Sequence, residues 1–172
     1  MSHFINYVIG IPYYYYLISA AVAVIWWLRS RSLPVGRRLA WSAFGAYVFL
    51  ILAESVLRRS AAETAAYDLT PFWSYAAIFS GDRSVLPQMI GNVVAFMPFG
   101  FLLPAANEKY SFRTTVLFGL GFSVFIEVMQ LITKRGFAEF DDIFHNVLGT
   151  VIGFGLWKLA HRLFGDRTDT TE

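Results

Sequence analysis

The chain has 172 residues, of which 56% are apolar and only 15% charged, with 14 Lys and Arg against 12 Asp and Glu and a formal net charge of +2. Soluble domains carry roughly 25% charged residues, and a fold this small leaves too much of its surface in contact with solvent to hide that apolar area from water. This excludes a soluble cytosolic enzyme. The weak positive charge gives no reason to expect a nucleic acid partner, and the absence of Cys removes disulfides, thiolate nucleophiles and cysteine metal sites.

A helix crossing the hydrocarbon needs about 20 mostly apolar residues, and five stretches are predicted to cross. The first runs from residue 4 or 11 to residue 28 and ends in Trp26 and Trp27. It lacks the basic leader of a cleaved signal, so it is read as a retained span. The second covers residues 39–57, with Glu54 as its single charge. Residues 58–90 are too broken to span, and their aromatic piece at 71–79 suits the headgroup zone or a fold back onto the bundle. The third span, about 89–104, carries Pro98, Gly100 and Pro104, which predicts a short or kinked helix. The fourth covers 115–133 with Glu127 near its end, and the fifth 143–164 with Lys158 and His161 at its far end. Residues 166–172 read as a short solvated tail. There is no sign of an inverted repeat or a second domain. The expected fold is therefore one all-α domain over residues 1–172, a polytopic membrane bundle of about five transmembrane spans.

Lys and Arg set the orientation. Arg29, Arg31, Arg37, Arg38, Lys109, Arg113, Lys158, Arg162 and Arg167 fall on one side, and Arg58, Arg59, Arg83, Lys134 and Arg135 on the other. The richer side is expected to be cytoplasmic, which puts the N-terminus outside and the C-terminus inside. Tyr13 to Tyr16 then suit an outer aromatic belt.

Ionisable groups inside lipid are costly, and here they gather. Glu54, Asn92, Glu127, Gln130, Asp141, Asp142, His145 and Asn146 all fall at one membrane face under an alternating topology, whichever face is outside. Glu127 and Gln130 are three apart and share a helix face. Asp142, Asn146, Gly149 and Gly153 form one stripe, whose lower half is a small-residue seam for close helix packing. That seam should turn Asp142 and Asn146 into the bundle.

At these residues the chain resembles the VanZ-like family. The pattern is Asn92-x3-Phe96-x-Pro98-x-Gly100, then Glu127-x2-Gln130, Arg135-x-Phe137, and Asp141-Asp142-x3-Asn146-x2-Gly149-x3-Gly153. Leu69-Thr70-Pro71-Phe72 resembles the family's short element upstream. The resemblance covers about residues 40–160. It implies a small integral protein of the bacterial plasma membrane and, through the family's founding member, a link to resistance against the glycopeptide teicoplanin. It implies a location and a context but no reaction. His145 stands where the family pattern has an apolar residue, so no role is carried over to it.

Two accounts of the polar cluster remain open. In one, Glu127, Asp142 and Asp141 form an acid/base group or the ligands of a divalent cation. Arg135 then clamps an anion, and Asn92, Gln130 and Asn146 orient the ligand. The partner would be membrane lipid, a lipid-linked envelope precursor or a glycopeptide. In the other, Arg135 pairs with Asp141 or Asp142 and the three amides satisfy one another, fastening the bundle of a non-catalytic interaction protein. Interhelical hydrogen bonds in lipid average only about 0.6 kcal/mol, a small gain for so many buried polar groups. A proton-coupled carrier is a third reading and requires a polar route to both faces. His145, one turn from Asp142, is either a proton shuttle or a plain interfacial histidine, and Glu54 with Arg58 reads as a local ion pair.

Overall fold

The structure is a computed structural model and describes residues 12–164. The start of the first predicted span and the tail at 166–172 lie outside those residues. The elements run α1 (Tyr13–Arg29), α2 (Val35–Leu52), a π-helical turn (Ala53–Leu57), β1 (Ala66–Asp68), α3 (Trp73–Phe79), α4 (Leu86–Ala106), α5 (Phe112–Thr133), β2 (Phe137–Glu139) and α6 (Phe140–Phe164). Pro12 and Pro34 stand immediately before α1 and α2. Pro87 sits in the first turn of α4, where the missing N–H has no intrahelical acceptor to lose. Ser111 caps α5 by accepting the Thr114 N–H at 3.3 Å, and Lys134 ends that helix in the left-handed conformation (φ 56°).

Val35–Leu57, α4, α5 and α6 are each long and apolar enough to cross a membrane. The 17 described residues of α1 extend about 26 Å at 1.5 Å per residue, near the hydrocarbon thickness of about 30 Å. About five crossings follow, as the composition predicts. Large apolar side chains such as Leu117, Ile132 and Leu159 face outward and exposed, a surface that only lipid solvates without cost.

The third span is not short: it is a continuous helix of 21 residues that keeps both Pro98 and Pro104 inside. A proline removes an N–H and crowds the preceding turn, at Pro98 the turn that carries Val94 and Ala95. The Tyr47 hydroxyl of α2 donates to the Ala95 carbonyl in that turn. Residues 58–90 fold back onto the bundle. The one departure from an all-helical chain among the described residues is a parallel pair, with Ala66 opposite Phe137 and Asp68 opposite Glu139.

The core is built on α4, where Phe96, Phe99 and Leu103 meet Val56 and Ile126. Phe99 stacks on Phe122 at 5.4 Å. The tightest seam is α4 against α6. A Cβ on Gly149 would strike the Val93 carbonyl, one on Gly153 the Met97 carbonyl, and one on Gly100 the Thr150 carbonyl. The Gly149-x3-Gly153 stripe thus brings the two backbones together, and Asn146, Gly149 and Gly153 are all buried as the spacing predicts.

The bundle has two distinct ends. At one, Arg37 pairs with Glu108 at 3.0 Å and the Arg38 guanidinium lies 3.7 Å above the Trp27 ring. At the other lie the ends of α2 and α5 and the starts of α4 and α6, where the polar residues collect.

Replacing Gly149 by Leu should force α4 and α6 apart and lower unfolding stability in detergent by about 1–3 kcal/mol, while the same change at Gly121, which faces open space, should be near neutral. Equal midpoints for the two variants would contradict the seam.

Candidate functional site

At the polar end, a cavity of about 50 Å³ lies between the π-helical turn, α4, α5 and α6. Its polar lining comprises Ser55, Arg59, Asn92, Glu127, Gln130, Asp142 and Asn146. Five of the seven residues singled out from sequence therefore meet at one space, supplied by three separate helices. Phe96 and Ile126 form part of its wall and belong to the apolar core, so the polar space closes off toward the middle of the bundle.

Each polar side chain is anchored from a different direction. Glu127, 6% exposed, accepts the Glu139 backbone N–H at 3.1 Å, which ties it to β2. Gln130 donates from Nε2 to the Ser55 carbonyl at 3.1 Å, inside the π-helical turn. Asn146 donates from Nδ2 to Ser123 Oγ at 2.9 Å. The three amides do not satisfy one another, contrary to the fastening account. Gln130 is 3% exposed, yet its Oε1 has no partner, and neither has Asn92 Nδ2. Unpaired polar atoms in a dry interior cost about 1–3 kcal/mol each, and among the buried atoms left without a partner these two belong to residues that line the cavity.

Asp141 and Arg135 lie elsewhere. Asp141 is 1% exposed and accepts the N–H groups of Phe72 (2.6 Å) and Ser74 (3.0 Å) together with the Ser74 hydroxyl. Phe72 precedes α3 with φ 61°, so Asp141 caps α3 from across the fold and locks the 58–90 segment to α6. Arg135 donates from Nη1 to the Leu57 carbonyl at 3.0 Å and forms an ion pair with neither Asp141 nor Asp142. The cation at the cavity is Arg59 instead. Gly136 makes room for it: a Cβ there would come within 2.8 Å of Arg59 Nη1 and 3.0 Å of the Gln130 side chain, and its φ of 129° suits glycine alone. Glu54 does pair with Arg58, at 2.9 Å.

The proposed metal set is not assembled. Among the described residues no three His, Asp or Glu side chains converge closely enough to hold a metal ion. The direct reason is that Asp141 turns toward α3, away from the cavity that Glu127 and Asp142 share.

A smaller hollow adjoins the first, and Asp142 lines both. Here Gln88 Nε2 bridges the Glu139 and Asp142 carboxylates, at 3.1 Å to the latter. Burial, reinforced by the Asp142 carboxylate beside it, pushes Glu139 up to about 7. His145 is buried within the bundle: it is 2% exposed, stacked on Tyr75 at 5.6 Å, with Nε2 3.1 Å from the Tyr75 hydroxyl. Sequence reasoning missed Gln88, Glu139 and Arg59. Gln88 had a usable signal, since it precedes Asn92 by one helical turn. Arg59 had none, because only the path of the chain after the π-helical turn brings it back.

A family model described as VanZ/LLP1 matches residues 38–161, which contain every polar residue of the cavity. The chain belongs to the VanZ/LLP1 family. It is similar to Protein VanZ of Enterococcus faecium, with 32% identity over 75 residues, which is 44% of this chain and 47% of that protein. The chain thus aligns with about half the length of that relative. No solved structure matches.

The Glu139 carboxyl titrates at 4.5 when free and at about 7 in the fold. Between those values the native state holds the proton that the unfolded chain releases, so stability falls as pH rises through this window and levels off above it. Thermal unfolding in detergent should show that decline, and Glu139→Gln should flatten it; parallel curves for the two proteins would contradict the assignment.

Proposed function

We propose that this VanZ-family membrane protein works in the bacterial cell envelope and uses the cavity to hold the polar group of an amphipathic or lipid-linked envelope molecule. The observation that carries this reading is the pair of orphaned polar atoms, Gln130 Oε1 and Asn92 Nδ2, at a cavity also lined by Glu127, Asp142 and Arg59. A cluster serving stability alone would pair its amides with one another; here Gln130 Nε2 and Asn146 Nδ2 bond elsewhere, and Gln130 Oε1 and Asn92 Nδ2 bond to nothing. The position at one end of the helices sets the cavity at headgroup depth, where a ligand's acyl portion remains in lipid.

The basic residues favour a cytoplasmic location for the opposite end, so the cavity opens to the extracytoplasmic leaflet, with the N-terminus outside and the C-terminus inside. The apolar layer of Phe96, Phe99, Leu103 and Ile126 favours a one-sided pocket over a carrier. The family name suggests glycopeptide susceptibility, teicoplanin in particular, as the cellular readout.

In cells expressing the protein, Asp142→Asn and Glu127→Gln should each abolish the change in teicoplanin susceptibility at unchanged membrane abundance. Asp141→Ala should instead reduce abundance, since it releases three hydrogen bonds at about 3–5 kcal/mol for a broken buried charge network. Full activity of Asp142→Asn at normal abundance would remove the pocket from the mechanism.

A further inference from the structure

Resting on that reading, the geometry points to the chemical class of the group held: a zwitterion with a primary ammonium beside an anionic oxygen group, as in a phosphoethanolamine head group.

The cavity offers acceptors and donors in two sets. Glu127, Asp142 and Gln130 Oε1 are acceptors, and among the described residues neither carboxylate is in an ion pair. Gln130 Oε1 is unpartnered within a residue 97% buried by its 3% exposure. A primary ammonium brings three N–H donors and no acceptor, which matches these three groups in number and sign. The complementary set is Arg59 with Asn92 Nδ2, donors that suit a phosphate or carboxylate. Arg59 is exposed overall yet lines the cavity, so the cationic side chain stands at the mouth and the carboxylates lie within.

Hydrogen bonding and charge narrow the class. A trimethylammonium has no N–H to offer Gln130 Oε1, whereas a primary ammonium has three. A purely anionic head group would bring negative charge toward the buried Glu127 and half-buried Asp142 carboxylates, where a lowered dielectric magnifies repulsion. A simple cation would leave Arg59 and Asn92 unanswered.

The test uses the purified full-length protein in detergent and follows its thermal midpoint with dihexanoyl phosphatidylethanolamine, phosphatidylcholine and phosphatidylglycerol, and with free O-phosphoethanolamine. The ethanolamine lipid should bind at least about tenfold more tightly than the other two, equivalent to 1.4 kcal/mol, and Glu127→Gln should erase that preference. Stabilisation by O-phosphoethanolamine alone would identify the zwitterion as sufficient; stabilisation by the lipid only would identify the lipid as its source. Equal binding of the three lipids overturns the zwitterion assignment and leaves the amphipath reading standing. Should none bind, the assignment falls alone if Asp142→Asn loses cellular activity, and both readings fall if that variant remains fully active. The wild-type lipid ranking decides the matter without any variant, so a failure of Glu127→Gln to fold does not affect it.

Discussion

In hydrocarbon no water stands ready to satisfy a polar group, so every donor and acceptor must find its partner within the chain. Most of this structure answers that requirement. The Tyr47 hydroxyl of α2 finds its acceptor in the Ala95 carbonyl of α4. The N–H groups at the start of α3, left open because no residue of its own caps it, are taken by Asp141. The β1–β2 pair does the same for extended chain at the bundle's polar end. Against that background, Gln130 Oε1, on a residue 3% exposed, bonds to nothing. Buried Ser42 Oγ and Thr115 Oγ1 share that state, and what distinguishes Gln130 Oε1 and Asn92 Nδ2 is that their residues line the larger cavity.

The glycine seam and the cavity are parts of one design. With Gly100, Gly149 and Gly153 letting α4 and α6 approach backbone to backbone, the two helices have little rotational freedom about their axes. The same stripe on α6 continues upward into Asn146 and Asp142, so the contact that fixes the seam also fixes the direction of those side chains. Precision at the polar end is thus set by packing in the apolar middle. In lipid this follows from the physics, because van der Waals fit rather than hydrophobic burial holds helices together.

Much of the site was legible because helical periodicity converts spacing into direction. Asn92, Glu127, Gln130, Asp142 and Asn146 lie on crossings whose lengths could be counted, and the alternation of crossings put them at one end. What could not be read was the course of the connections. Asp141 and Asp142 are adjacent in sequence, and only the fold of residues 58–90 separates their roles, taking Asp141 as the cap of α3 and leaving Asp142 at the cavity. Arg59 stands at the cavity where Arg135 was expected, for the same reason. Both follow helix ends, and no periodicity governs a chain that has left its helix. The third span was expected to be short or kinked, and its full 21-residue length was not legible from local propensity, which counts each proline as a helix breaker.

The charge balance around Asp142 links the pH behaviour to the ligand chemistry. Asp142 borders both hollows and has Glu127 on one side and Glu139 on the other. Arg59 is the single cation lining either hollow apart from the neutral-or-charged His145, so the four carboxyl groups of Glu127, Glu139, Asp141 and Asp142 share too little positive charge. One solution is a proton, and the carboxyl of Glu139 holds one up to about pH 7. The other is a cation brought in from outside. A ligand ammonium and the Glu139 proton neutralise the same excess of negative charge, and by linkage each weakens the hold of the other. Under the proposed zwitterion reading, an ammonium-bearing ligand would then be bound more tightly as the proton leaves, and the carboxyl that destabilises the empty fold at neutral pH would be the one that strengthens the occupied site.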